Sequence, residues 1–188
     1  MRTIRTKVYS FTELSSEARE VALNDFRDIN TNYDDWDTYE LEQMVEKLSE
    51  IGFENATIQY SGFWSQGNGL SFDADINLLK FATTKNEKRV ANLIDNGIIE
   101  GFGIYKNSYS NHYSHEKTRY TDYILCNGSN INLVLEKFTN DIESLRLDLC
   151  KQYYRQLEES YNDLQSDKQV EETILANEYE FLSNGKQY

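Results

Sequence analysis

"ATIQYSGFWSQGNGLSFDADI", residues 56–76, reads as two β-strands with a turn between them, and that reading decides the fold class. On both sides branched and aromatic residues alternate with polar ones, the two-residue period of a strand with one buried face. Asn68-Gly69 is the strongest short-range hairpin signal, because both residues tolerate positive φ. Gly67 just before it would allow a wider loop or a bulge, and Gly62 marks a bulge or a close backbone approach. Glycines at 62, 67 and 69 also raise the question of a phosphate-gripping loop. A P-loop needs Lys-Ser/Thr after its last glycine and then a helix. Here Leu70-Ser71-Phe72 continues into a strand instead. Nor do Ser61 and Ser65 sit in the Gly-x-Ser-x-Gly setting of a hydrolase nucleophile.

Working outward, "RTIRTKVY" (2–9) alternates as a first strand, and Ser10 with Glu13 offers a capping box. Ser15 or Ser16 caps a helix whose apolar stripe is Ala18, Val21, Ala22 and Phe26, with Ile29 beyond. A second helix runs from about Asp34 to Ser49. It has Trp36, Leu41, Met44, Val45 and Leu48 facing inward, and Gly52 supplies its stop. After the hairpin, residues 77–97 form one helix or two short ones. Two more strands then flank a tyrosine-rich connection. From Ile131 to Leu164 a long helix carries Leu135, Phe138, Ile142, Leu145, Leu149, Tyr153, Leu157 and Tyr161. That stripe, with Val170, Ile174 and Phe181 beyond it, predicts a helical hairpin or coiled coil, within the chain or as a homodimer.

The expected fold is therefore α+β: an antiparallel sheet of about five strands with helices on one face. Residues 1–128 form the α+β domain. Residues 129–188 form a C-terminal helical region that packs on it or dimerises.

At 188 residues with 14 tyrosines the chain can bury a real core, and its formal charge is −13. Such a charge disfavours wrapping by nucleic acid and permits ordinary solubility, binding to a basic protein surface, or imitation of nucleic acid on such a surface. Residues 33–50 hold seven acids to one lysine, and residues 141–180 hold eleven acids to four bases. Between them, residues 80–120 are slightly basic, so charge is segregated. No apolar run reaches the ~18 residues of a membrane span, and the N-terminus lacks a signal core. An intracellular, membrane-free protein is expected.

Catalytic material is thin. Cys126 and Cys150 lack metal-ligand spacing and read as buried thiols. His112 and His115 with Glu116 read as surface polar residues of a loop. Asp73 and Asp75 share one face of a strand and, with Asp34, Asp35 or Asp37, offer the one route to a divalent-metal enzyme. Alternating acids on a wet strand face are also ordinary. No catalytic residue, metal or cofactor is expected. The residues that suit recognition are Asp34, Asp35, Trp36 and Asp37, the hairpin's Trp64, and Tyr109, Tyr113 and Tyr120 of the tyrosine-rich segment. Aromatic anchors beside charge dominate protein interfaces. The same segment, 105–123, with Lys106, Lys117 and Arg119, and Lys80, Lys85, Lys88 and Arg89 before it, would alternatively grip phosphates in a nucleic-acid-binding module.

Residues 7–76 resemble a family of small phage-encoded proteins. The carriers are "YSFTELSSEAREVALNDF", then "YDDWDTYELEQ", then "SGFWSQGNGLSF". In the family's hairpin motif an aspartate is usual where this chain has Asn68, which removes any role needing a carboxylate there. Most members lack an assigned activity, and some similar proteins act as anti-CRISPR inhibitors of Cas9. The resemblance implies a non-enzymatic inhibitor in the cytoplasm of the infected host. Its implied partner is a basic host defence protein such as a Cas9-type nuclease with its guide RNA.

Overall fold

The computed structural model describes residues 5–85, 87–97, 99–106, 116–125 and 132–188. It has the α+β class the sequence predicts. The chain divides into two compact units, Thr38–Leu157, and Met1–Asp37 together with Glu158–Tyr188. This partition differs from the expected boundary near residue 128. The two chain ends come together in one unit, and most of the long helix belongs to the other.

In the unit Thr38–Leu157, four antiparallel strands follow the order β2 (Phe53–Tyr60), β3 (Leu70–Ile76), β4 (Ile99–Lys106), β5 (Arg119–Leu125). Helix α2 (Thr38–Glu50) precedes the sheet and ends at Gly52, where φ is 101°. Two short helices, α3 (Leu78–Thr84) and α4 (Lys88–Asp95), follow β3; Asn77 caps α3 by accepting from Lys80 N at 3.0 Å. Alternation along β3 turns Leu70, Phe72, Ala74 and Ile76 into the core, while Asp73 and Asp75 point the other way. Met44 and Leu48 of α2, Phe81 of α3 and Phe138, Ile142 and Leu157 of α5 (Asn132–Leu164) close over that face. Phe53 meets Phe72 edge-on at 5.4 Å between centroids, and Phe81 meets Phe138 at 5.6 Å. Each such pair contributes about 0.5–1.5 kcal/mol beyond its burial.

The inward stripe of α5 is not the predicted seam. Phe138, Ile142, Tyr153 and Leu157 are buried as expected, but Arg146 and Cys150 fill the middle, and Leu145 and Leu149 are only half-buried. The buried positions 138, 142, 146, 150, 153 and 157 are on average 3.8 residues apart, a longer period than the 3.5-residue repeat of a coiled-coil seam. Within this unit the stripe is already covered by the chain's own sheet and helices.

In the other unit, α1 (Ser16–Asp25) begins with Ser15 accepting from Ala18 N. The Ser10–Glu13 capping box is present and opens a single 3-10 turn, Phe11–Glu13. Among the described residues the predicted first strand shrinks to β1 (Tyr9–Ser10). It leaves the main sheet to pair with β6 (Glu180–Phe181), after α6 (Asp167–Ala176). Phe11, Leu14, Ala18 and Ala22 pack with Val170, Ile174 and Phe181. Gly185 lies against α1 so closely that a Cβ would stand 2.0 Å from the Ala18 carbonyl oxygen. Arg27 and Asn30 donate to the carbonyls of Gln165 and Leu164, satisfying acceptors at the end of α5. Among the described residues no helix is long and apolar enough to cross a membrane.

Candidate docking surfaces

The hairpin that fixed the fold class places its turn elsewhere than the sequence suggested. Ser61 N donates to Gly69 O at 3.1 Å, and Asn68 N donates to Ser65 O at 3.0 Å, so a nine-residue loop carries a turn over residues 65–68. Positive φ falls on Gly67 (91°) and Gly62 (49°), not on Asn68-Gly69. Phe63 explains the wider loop. Its ring stacks on Tyr60 at 5.8 Å and packs against Tyr154 of α5 at 5.6 Å, while the Tyr154 hydroxyl donates to Gly62 O. Phe63 is thus seated on Tyr60 and on α5. Trp64, next in the chain, is 70% exposed on that braced support.

Helix α2 presents a second surface. Met44 and Leu48 are buried, and on the opposite face Tyr39, Glu42, Glu46 and Glu50 recur at steps of three, four and four. Tyr39 is 70% exposed. The three carboxylates stand about 6 Å apart along the helix axis. Among the described residues no ion pair engages them.

The expected recognition residues fare unevenly. Asp34 and Asp35 are exposed, as a docking role requires. Trp36 is half-buried with its ring edge-on to Tyr161 at 5.3 Å, so it serves packing and is not a free anchor. Asp37 is buried, not surface-borne. On β5, Tyr120 is 46% exposed. Tyr109, Tyr113, His112, His115 and Cys126 lie outside the described residues. Cys150 is a buried thiol.

Asp73 and Asp75 are each engaged within the protein. Asp73 is ion-paired with the buried Arg119 (Nε to Oδ1, 2.5 Å; Nη2 to Oδ2, 3.1 Å), which also donates to Gln59 and Thr118. Asp75 accepts from Asn55 Nδ2 at 2.8 Å. A guanidinium against Asp73 opposes a cation at that place. Among the described residues no group of three or more His, Cys, Asp or Glu could hold a metal ion.

Sequence reasoning missed the second buried arginine. Arg146 donates to Glu143 through Nε (2.9 Å) and Nη2 (2.5 Å), and to the Arg119 carbonyl at 3.3 Å. Thr121 Oγ1 of β5 also donates to Glu143, at 2.7 Å. Burial pushes the Glu143 carboxyl up, but the Arg146 and Thr121 hydrogen bonds and the Arg146 charge outweigh it and hold it below the usual carboxylate range. The signal was available: an arginine four residues from Ile142 and from Cys150 lies on the apolar stripe.

A model of the family described as "Domain of unknown function (DUF8835)" matches residues 36–167. No curated protein and no solved structure matches the chain.

Proposed function

The chain belongs to the DUF8835 family, and from that premise we propose that it is a non-enzymatic inhibitor of a basic host defence protein. The specific target proposed is a Cas9-type nuclease with its guide RNA, met in the cytoplasm of an infected bacterium. The observation that carries this reading is the exposed stripe of α2, with Tyr39 leading Glu42, Glu46 and Glu50. Carboxylates at i and i+4 repel, and each such pair costs an isolated helix about 0.2–0.5 kcal/mol. The fold gains nothing from that arrangement, whereas a cationic partner relieves it and is steered towards it. Nucleases of this type hold guide and target in positively charged channels, which an acidic helix can occupy. Trp64, edge-on to Phe63, whose own ring packs against Tyr154, supplies the exposed aromatic anchor that acidic steering alone lacks. Phage origin and the Cas9 target rest on the hairpin and helix motifs quoted above.

The triple variant Glu42→Gln, Glu46→Gln, Glu50→Gln tests the reading. It should keep the circular dichroism of the parent and melt at the same temperature or slightly higher, while losing inhibition of target DNA cleavage. Full cleavage by the nuclease–guide complex at saturating parent protein would refute the proposal. Salt-sensitive binding to free DNA instead would favour the nucleic-acid-binding alternative. That alternative has at least two cations fewer than the sequence offers, because Arg119 is buried against Asp73 and Lys80 Nζ donates to the Ser49 carbonyl at 2.7 Å.

A further inference from the structure

In the unit formed by the two chain ends, a groove of about 410 Å³ opens between the β1 region and the end of α6. Its floor is apolar: Phe11 and Ile174 are buried, Tyr179 is half-buried, and Leu175 is 42% exposed. Its rim is acidic, formed by the exposed carboxylates Glu13, Glu178 and Glu180. At its edge the chain already sets a cation on an aromatic ring, with Lys7 Nζ 4.6 Å from the centroid of Tyr9, itself a lining residue.

Glu178 is out of place by every local rule. Helix α6 closes with Asn177 as its last half-helical residue, then Glu178 N donating to Leu175 O and Tyr179 N donating to Ile174 O. That pattern puts Glu178 in the left-handed position where glycine is the usual residue, and its φ is 54°. A carboxylate at a helix C-terminus also faces the negative end of the helix dipole. Glycine would satisfy both demands better. Where local preference is overridden twice at the lip of a cavity, the side chain is expected to serve something other than the fold.

We propose that this groove binds a basic peptide segment of a partner protein, with lysine or arginine on the Glu13, Glu178 and Glu180 rim and a neighbouring apolar side chain on Leu175 and Tyr179. Charge complementarity selects this occupant: three carboxylates around an apolar floor suit a side-chain cation on an amphipathic segment, and reject an acidic or nucleic-acid one. Residues 8–13 and 174–180, which line the groove, lie outside the family match at 36–167. The groove is therefore a property of this chain beyond the matched part of the family, and it does not depend on the nuclease being the target.

The test is a fluorescence-anisotropy titration of the full chain with a labelled peptide of alternating lysine and leucine, against a glutamate–leucine control and spermine. Binding of the lysine–leucine peptide alone is expected. Leu175→Ser should weaken it about tenfold, which is ~1.4 kcal/mol. Glu178→Gly should weaken it while raising the melting temperature, an outcome that a merely structural residue would not produce. No binding, equal binding in both variants, or spermine competing as well as the peptide would each overturn the proposal. The last result would show only general attraction to an acidic chain.

Discussion

Removing Glu143 should destabilise the sheet-bearing unit by about 3 kcal/mol, although the residue lies at its margin. Arg146 is fully buried, and Glu143 answers its guanidinium through two hydrogen bonds of 2.9 and 2.5 Å. Breaking a buried pair from one side leaves an uncompensated charge and costs about 3–5 kcal/mol. The Glu143 side chain is 32% exposed, so water reaches part of the vacated space and the lower figure applies. Against a total stability of about 5–15 kcal/mol this is a large loss. Replacing both partners by apolar residues, Glu143→Leu with Arg146→Met, removes the charge together with its counterpart. Methionine would then continue the stripe between Ile142 and Cys150. That double variant should fall within about 1 kcal/mol of the parent or exceed it, even though Thr121 loses its acceptor. Urea denaturation followed by far-ultraviolet circular dichroism reads both. The Glu143→Ala midpoint should drop by about 1–3 M at an unchanged slope. A loss under about 1 kcal/mol in the single variant, or a double variant as unstable as the single, would refute the reasoning.

Three further outcomes are expected. Because its folded-state pKa is depressed, Glu143 contributes stability that is present above its unfolded value of about 4.3 and lost as pH falls through the lower folded value. The stability gap between parent and Glu143→Gln should therefore be widest near neutral pH and close in acid; a gap that is constant with pH would contradict this. Gly185→Ala forces a Cβ against the Ala18 carbonyl at a φ of 83°, and should cost about 1–3 kcal/mol or more in thermal unfolding. Trp64→Ala should cost no more than about 1.5 kcal/mol of stability, the worth of its edge-on contact with Phe63, but weaken partner binding by about 2 kcal/mol, roughly thirtyfold, in a calorimetric titration.

Features set by near neighbours in sequence were legible. Ser15 caps α1, Gly52 stops α2, and α5 runs from Asn132 to Leu164 within a residue of its expected start. Features set by distant contacts were not. The Asn68-Gly69 dipeptide has the right chemistry for a tight turn, yet the loop widens because Phe63 seats on Tyr60 and on Tyr154, ninety-one residues later. β1 pairs with β6 at the far end of the chain, and no local pattern in residues 2–9 reveals that partner. A 3.5-residue spacing picked Leu145 and Leu149 from α5, whereas the buried face runs through 142, 146 and 150 and so draws in Arg146. An arginine is assigned to the surface by default, which is why the Arg146–Glu143–Thr121 network stayed hidden. At the docking surfaces, the acidity, Trp64 and the inward side of Trp36 could be read directly, while the burial of Asp37 depends on contacts no residue pattern announces.

The most direct measurement is isothermal titration of the chain into a Cas9-type nuclease–guide complex at low and at physiological salt. A docked acidic helix with an aromatic anchor predicts a complex whose affinity falls as salt rises and which Trp64→Ala weakens at every salt concentration. No complex at low salt, or one indifferent to ionic strength, would contradict it.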